Sequence, residues 1–280
     1  MAKDKLVAPI VKWVGGKRQL LDEITPLLPK RIVSYCEPFF GGGAVLFSIQ
    51  PPKAVINDLN EDLMLVYEVV RDDVESLIDA LKGHENTAEY FYAIRDADRD
   101  KKAYQALSKV ARASRLIYLN KTCFNGLFRV NSSGEFNSPF GHYKNPRIVN
   151  EPGLRAVSAY FRANEITFCS EDFAKTLSRL EKGCFVYLDP PYDPISDTAS
   201  FTGYHKGGFG QGEQLRLKEC CDDLTRRGVR FLLSNSATPF IRELYQTYPI
   251  RIVKAKRAIN SDATKRGAIE EVLIRNYGLE

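Results

Sequence analysis

Asp189-Pro190-Pro191-Tyr192 is the strongest chemical signal in the chain. It stands at the carboxyl end of an apolar run, Cys184–Leu188, which has the length and composition of a strand buried on both faces. Ligands of open α/β sheets bind beyond the carboxyl ends of strands. A carboxylate, a free proline carbonyl and an aromatic ring in succession suit one task, raising the reactivity of an amine conjugated with a flat ring. The lone pair of such an amine is delocalised into the ring. Two acceptors that take both N–H protons favour a pyramidal nitrogen with its lone pair exposed. Asp189 can be one acceptor and the Pro190 carbonyl the other, since proline fixes the turn and keeps its carbonyl. Tyr192 offers a face on which the ring can stack, worth about 1–3 kcal/mol. The bland alternative is a rigid Pro-Pro turn with Asp189 as a local cap.

A second candidate site is Glu37-Pro38-Phe39-Phe40-Gly41-Gly42-Gly43-Ala44, which follows a strand-like run and opens a helix. Glycines there let backbone approach a ligand, and helix N-terminal amides favour polar groups. A tight strand-to-helix turn would use the same residues. Asp58 ends the next strand-like run, at about the distance where nucleotide-binding folds place a ribose-binding acid. Its alternative role is N-cap of a helix starting near Glu61. Gly15-Gly16-Lys17 faintly resembles a phosphate-binding loop. However, Val11 stands five residues before Gly16, and Arg18 occupies the place of the magnesium-binding hydroxyl, which excludes that reading.

The elements that must carry these residues follow from hydrophobic pattern. Short apolar runs predict strands at Val33–Cys36, Val55–Asn57, Ile166–Cys169, Cys184–Asp189, Arg230–Asn235, Arg251–Arg257 and Glu271–Tyr277. Helical patterns fall at Lys17–Leu28, Asp172–Leu180, Glu213–Arg226 and Thr238–Gln246. Strands alternating with helices predict an α/β fold with a Rossmann-like, mostly parallel sheet. The last two runs form a hairpin that puts one antiparallel strand at the sheet edge. Residues 61–149 break this rhythm. They read as an inserted helical domain ending in a hairpin around Asn131-Ser132-Ser133-Gly134, and residues 1–60 and 150–280 read as the sheet domain.

Charge is segregated along the chain. Glu61–Tyr90 holds nine acidic and two basic residues, whereas Lys101–Asn150 holds nine basic residues and one acid, Glu135. The basic stretch is interleaved with Tyr118, Phe124, Phe128, Phe136, Phe140 and Tyr143. Basic groups with aromatics suggest a nucleic-acid surface; a solvated helix face is the competing explanation. The six cysteines form no C-x-x-C pair and the three histidines are scattered, so no metal site is expected. No apolar run approaches the roughly 20 residues of a membrane span, and Met1–Ile10 carries no signal-peptide pattern. The sequence therefore reads as a cytoplasmic protein with no membrane partner.

On these motifs the sequence resembles the Dam-type DNA adenine methyltransferases, close to restriction–modification enzymes that modify GATC. Lys12-Trp13-Val14-Gly15-Gly16-Lys17 is similar to the family's amino-terminal cofactor motif. Glu37–Phe47 resembles its glycine motif, Asn57–Asn60 its ribose motif and Asp189–Tyr192 its catalytic motif. Phe124–Arg129 with Gly134–Gly141 resembles the recognition hairpin of the GATC enzymes. The resemblance implies a methyltransferase sheet with a target-recognition insert, S-adenosylmethionine as cofactor, and duplex DNA as partner. It further implies base flipping and direct in-line methyl transfer to the N6 amine of adenine by a protein expected to be monomeric.

It also implies roles for residues. Asp189, Pro190 and Tyr192 are catalytic. Trp13, Lys17, Glu37, Phe39, Gly41, Gly43, Asp58, Asp172, Phe173 and Asp189 contact the cofactor. Lys12, Phe124, Asn125, Leu127, Arg129, Pro139 and Tyr143 contact DNA, with Asn131, Asn137 and Lys144 as phosphate neighbours. Arg129 is assigned to the guanine of the last GATC pair and Lys12 to that of the first. His142 stands where some relatives carry Arg, and Phe124 where others carry Tyr. Ser196–Phe209, with Thr198, Phe201, Thr202 and Tyr204, resembles the loop that closes over a flipped base. The alternatives are a methyltransferase acting on RNA bases or protein glutamine, and a non-catalytic DNA-binding regulator.

Overall fold

The structure is a computed structural model and describes residues 3–194, 208–256 and 268–279. In chain order the elements are α1 (Leu21–Ile24), β1 (Ser34–Glu37), α2 (Ala44–Ile49), β2 (Lys53–Asn57), α3 (Glu61–Asp72), α4 (Val74–Lys82), α5 (Ala88–Asp96), α6 (Lys101–Ala106), α7 (Lys109–Thr122) and α8 (Glu151–Ala163). There follow β3 (Glu165–Cys169), α9 (Phe173–Ser178), β4 (Cys184–Leu188), α10 (Gln211–Arg226), β5 (Arg230–Ser236), α11 (Pro239–Leu244), β6 (Ile250–Lys256) and β7 (Ala268–Arg275). The strands form one seven-stranded sheet in the order β3-β2-β1-β4-β5-β7-β6. β1 is parallel to β2 and β4, and β4 is parallel to β5. β7 runs antiparallel to β5 and β6, with β6 outermost. The α/β fold with a mostly parallel sheet and an antiparallel pairing at one edge is therefore as the pattern predicted.

Two compact units divide the chain. One comprises Met1–Gly16, Gly41–Gln50 and Asn60–Ser170, the other Lys17–Phe40, Pro51–Leu59 and Glu171–Glu280. In the second unit every residue of β4 is buried, as an unbroken apolar strand between two covered faces requires. Val186 and Leu188 lie beside Phe231 and Leu233 of β5. These side chains pack with Leu177 of α9, Leu217 and Cys221 of α10 and Ile241 of α11. Each fully buried Leu or Phe contributes about 1.5–3 kcal/mol. The helix predicted over Lys17–Leu28 is broken: 3-10 turns at Lys17–Leu20 and Thr25–Leu27 flank a single α turn. Pro26 accounts for the second break, because it has no N–H to donate to the preceding turn.

The first unit is mainly helical, with β3 as its strand. α7 packs against α3, α4 and α5, and α8 packs against α3 and α4. Side-chain caps start α3 (Asn60), α5 (Thr87), α6 (Asp100) and α7 (Ser108), each accepting from an amide three residues on. α8, opened by Pro152 in its first turn, had no counterpart in the hydrophobic runs read from sequence. After α7 comes the expected hairpin, held by the isolated bridges Cys123↔Phe140 and Val130↔Phe136 rather than by full strands. Its turn closes through Asn131 N–H to Glu135 O at 2.9 Å, with Gly134 at φ 76°.

Candidate active site and recognition hairpin

In the second unit the sheet brings Lys17, Asp189 and Tyr192 together. Lys17 Nζ lies 2.7 Å from Asp189 Oδ1 and 4.6 Å from the centre of the Tyr192 ring. Ser234 Oγ, on the neighbouring strand β5, donates to the same Oδ1 at 2.9 Å. Neither contact uses Oδ2. Burial pushes the Asp189 carboxyl above its ordinary range, and Lys17 and Ser234 oppose that rise. The Tyr192 hydroxyl donates to Glu271 Oε2 of β7 at 2.7 Å, which fixes the ring's orientation. Burial likewise raises the Glu271 carboxyl.

Neutral amides frame the turn. Gln214 of α10 donates to the Pro191 carbonyl at 2.9 Å, and Asn235 of β5 donates to Gln214 Oε1 at 3.1 Å. Asn235 Oδ1 accepts the Asp193 N–H at 3.1 Å, and Ser236 Oγ donates to the Asp193 carbonyl at 2.6 Å. Gln214, Ser234 and Asn235 are fully buried. A turn held by a satisfied buried network keeps one geometry. Sequence reading missed Glu271, Ser234, Asn235 and Gln214. The available signal was Ser234-Asn235-Ser236, three polar residues closing a strand otherwise made of Phe and Leu.

The other predicted cofactor residues fall as follows. Phe39 and Phe173 stack obliquely with ring centres 5.3 Å apart, and Phe209 packs on both. Glu37 ends β1, buried, and accepts from the Tyr35 hydroxyl at 2.8 Å. Asp58 follows β2 directly. The helix-cap alternative for Asp58 fails, because Asn60 Oδ1 caps α3 by accepting from Leu63 N–H at 2.9 Å. Both oxygens of Asp172 are engaged: Oδ1 caps α9 and Oδ2 binds Arg216 at 2.5 Å. That guanidinium in turn lies 4.4 Å from the Phe173 ring centre. Pro190 is buried.

In the first unit Gly41 has φ 50°, and a Cβ there would meet Trp13 Cδ1 at 2.8 Å. The glycine is thus required by the approach of the indole. Gly43, at φ 66°, sits at the start of α2. Trp13 stacks on Phe128 of the hairpin at 4.8 Å. Lys12 is exposed and bonded through its backbone to Asn120. Phe124 is 55% exposed, whereas Phe136, Phe140 and Tyr118 are core. Most of the aromatic interleaving in the basic stretch is therefore packing. The charge reads similarly: Lys109, Arg112 and Arg115 are paired with Glu68, Asp62 and Asp98. Charges of α7 are thus partly neutralised by acids of α3 and by Asp98, and the hairpin Phe124–Gly141 itself holds one basic residue, Arg129, and one acid, Glu135.

On the hairpin, Arg129 Nε donates to Asn137 Oδ1 at 2.7 Å. Asn137 thereby orients the guanidinium. Asn131, expected as a phosphate neighbour, is half-buried, and its Oδ1 accepts from the Ser133 and Glu135 N–H groups while its Nδ2 donates to the Glu135 carboxylate. Asn125 adopts φ 58° and is exposed, as are Pro139 and Lys144, while Leu127 and Tyr143 are half-buried. His142, at φ 52°, places its ring edge-on to Phe140 at 4.9 Å. Of the predicted closing loop, Ser196–Gly207 lies outside the described residues. Among the described residues no helix is long and apolar enough to cross a membrane, and no group of His, Cys, Asp or Glu is placed to hold a metal.

A mostly parallel α/β sheet with an acid, a cation and an aromatic ring gathered beyond its central strand is the arrangement of a ligand-binding α/β protein. Comparison with known proteins narrows the class. The family model described as D12 class N6 adenine-specific DNA methyltransferase matches residues 13–259. The Type II methyltransferase M1.LlaDCHI of Lactococcus lactis subsp. cremoris is 43% identical over 99% of both chains. The Type II methyltransferase M.MjaIII of Methanocaldococcus jannaschii is 43% identical over 97% of this chain and 99% of its own. The DNA adenine methylase of Escherichia coli is 34% identical over 94% of this chain and 93% of its own. The chain belongs to the D12 class N6 adenine-specific DNA methyltransferase family. It is an enzyme of site-specific DNA methylation at the N6 amine of adenine, and the RNA, protein and non-catalytic alternatives give way to that function.

Proposed function

We propose that this enzyme methylates the adenine of GATC in duplex DNA with S-adenosylmethionine as donor, acting as a monomer in the cytoplasm. The observation that carries the catalytic reading is the Asp189 carboxylate at the end of β4, clasped on Oδ1 by Lys17 and Ser234, neither of which uses Oδ2. In this reading Oδ2 accepts one N–H of the flipped adenine's amine and the Pro190 carbonyl accepts the other. Tyr192, fixed through Glu271, carries the base on its ring. Stacking of about 1–3 kcal/mol offsets much of the few kcal/mol that flipping costs.

The residues of the second unit suit the chemistry of S-adenosylmethionine. Lys17 offers a cation to a carboxylate, Asp58 an acceptor pair to a ribose diol, and Phe39 with Phe173 apolar faces to a purine. Bound there, the cofactor supplies an electrophilic methyl group. The chain's own contribution is position, since the Pro-Pro turn is pinned by Gln214 and Asn235 before any substrate arrives. GATC specificity is supported by the likeness of the hairpin to that of GATC enzymes, with Arg129 and Lys12 as readers of the two outer pairs.

The test is transfer of labelled methyl groups to duplexes carrying GATC or each single-base variant, with RNA and protein as controls. GATC should be preferred, and Asp189→Ala should abolish transfer while leaving duplex binding largely intact. Near wild-type transfer by Asp189→Ala would end the catalytic reading. Equal rates on all duplexes would end the GATC reading.

A further inference from the structure

Asn120 lies near the end of α7, 1% exposed, with an amide engaged on both sides. Its Oδ1 accepts the Lys12 N–H at 2.8 Å, and its Nδ2 donates to the Lys12 carbonyl at 2.7 Å and the Gly126 carbonyl at 3.2 Å. The side chain therefore pairs with the Lys12 backbone as a neighbouring strand would, and its second donor contact reaches the segment that follows Phe124. Gly126 completes the junction. It has φ 66°, and a Cβ there would stand 2.7 Å from Lys12 Cδ. The aliphatic stem of Lys12 thus crosses over Gly126, in a residue that is exposed overall.

We propose that Asn120 is a positioning residue for sequence recognition: it locks Lys12 onto the Phe124–Arg129 segment, so that the reader of the first base pair keeps a fixed place relative to the hairpin. The inference rests on the reading of Lys12 as a base contact. A lysine head on a long stem loses rotamer freedom whenever it reads a base edge, and a fixed backbone limits what remains to be ordered. A leucine of similar shape could fill the site but would deprive the Lys12 N–H and carbonyl of their Asn120 partners. Asn120→Asp would keep one bond and turn an acceptor toward two carbonyls.

The experiment measures single-turnover methylation of GATC and of duplexes altered at the first or last pair, at fixed salt. It compares the wild type with Asn120→Ala, Gly126→Ala, Lys12→Ala and the Lys12→Ala/Asn120→Ala double variant. Asn120→Ala should lower discrimination at the first pair about fivefold, the loss of roughly one hydrogen bond, and leave the last pair unchanged. Gly126→Ala retains the Asn120 side chain but sets a methyl against Lys12 Cδ and the Asn120 carbonyl in left-handed backbone, a coarser disturbance of the same junction, and should relax the same pair. The double variant should be no less selective at the first pair than Lys12→Ala alone, because Asn120 acts through Lys12. Uniform slowing of every duplex by Asn120→Ala and Gly126→Ala, or additive loss in the double variant, overturns the positioning role while the reading of Lys12 stands. Full first-pair preference in Lys12→Ala refutes the reading of Lys12 and the inference with it.

Discussion

Ser234→Ala removes one hydroxyl from a relay of three groups. The Tyr187 hydroxyl lies 3.1 Å from Ser234 Oγ, and Ser234 Oγ donates to Asp189 Oδ1 at 2.9 Å. Serine has one proton to give, so Tyr187 must donate to it. A hydrogen bond to a charged group is worth about 1.5–3 kcal/mol. Asp189 is already raised by burial, and Ser234 is one of the groups that hold it down. Without that donor the carboxyl protonates more readily, and the acid limb of the pH–rate profile moves toward neutral pH. On that limb the rate should fall about tenfold to a hundredfold, the same energy expressed as an ionisation ratio. At pH values above the limb most of the wild-type rate should return. Ser234→Cys, which keeps the shape and a weak donor, should lie between. The assay is single-turnover methyl transfer to a GATC duplex from mildly acidic to alkaline pH, with thermal melting to register the unpartnered Tyr187 hydroxyl. A rate reduced by one factor at every pH, with the limb unmoved, would refute the electrostatic role and reduce Ser234 to packing.

Three further outcomes are expected. Asp58→Ala should weaken S-adenosylmethionine binding by about 1.5–3 kcal/mol in calorimetry, and unchanged affinity removes Asp58 from the ribose assignment. Arg129→Ala should relax preference at the last GATC pair by about 1–3 kcal/mol, and Asn137→Ala should do so in part by freeing the guanidinium; if both slow all duplexes alike, Arg129 is a phosphate anchor. His84 is stacked on Tyr118 with its ring nitrogens 3.0 Å from Tyr90 Oη and 2.8 Å from Ser114 Oγ, and burial lowers its pKa from 6.5 to about 4. The unfolded chain then takes up the proton first as pH falls, so this contribution to stability is complete above pH 6.5 and is lost toward pH 4, by at most about 3 kcal/mol. Denaturant midpoints at pH 7.5 and 5 should differ in the wild type and converge in His84→Phe; equal wild-type midpoints contradict it.

The sheet was legible because its strands are short, apolar and punctuated. Cys184–Leu188 is buried throughout, and a strand covered on both faces leaves a run that no periodicity obscures. The Asp-Pro-Pro-Tyr turn was legible for the opposite reason, since such a cluster has little purpose in packing alone. What stayed hidden were groups whose roles depend on pairing across the sheet. Ser234 meets Asp189 only because β4 and β5 lie side by side, and Glu271 reaches Tyr192 from β7, the strand inserted between β5 and β6. α8 buries Leu154, Val157, Tyr160 and Phe161 at helical spacing, a signal that Pro152 and Gly153 in its first turn obscure. The basic, aromatic stretch misled in part. Its rings and several of its charges serve the interior of the helical unit, a use that a linear count of residues does not separate from a surface.

In the proposed reading of Asp189 as the acceptor for the adenine amine, the division of labour between neutral and charged groups around it follows from what the reaction requires. A carboxylate that must accept an amine proton in a hydrogen bond has to stay ionised in a poorly hydrated place, and burial works against that. A cation and a hydroxyl at Oδ1 counter the cost. Had the Pro-Pro turn also been pinned by charged side chains, each would have shifted the same carboxyl and tied its ionisation to the geometry of the frame. Gln214 and Asn235 instead hold Pro191 and Asp193 with amides, whose dipoles act over short range. In the proposed reading, the backbone of the turn at Pro191 and Asp193 and the charge state of Asp189 are thereby set by different residues, and Glu271, which holds the Tyr192 ring, is the charged exception. Changing Asn235 should accordingly disturb rate without moving the pH profile, where changing Ser234 moves the profile itself.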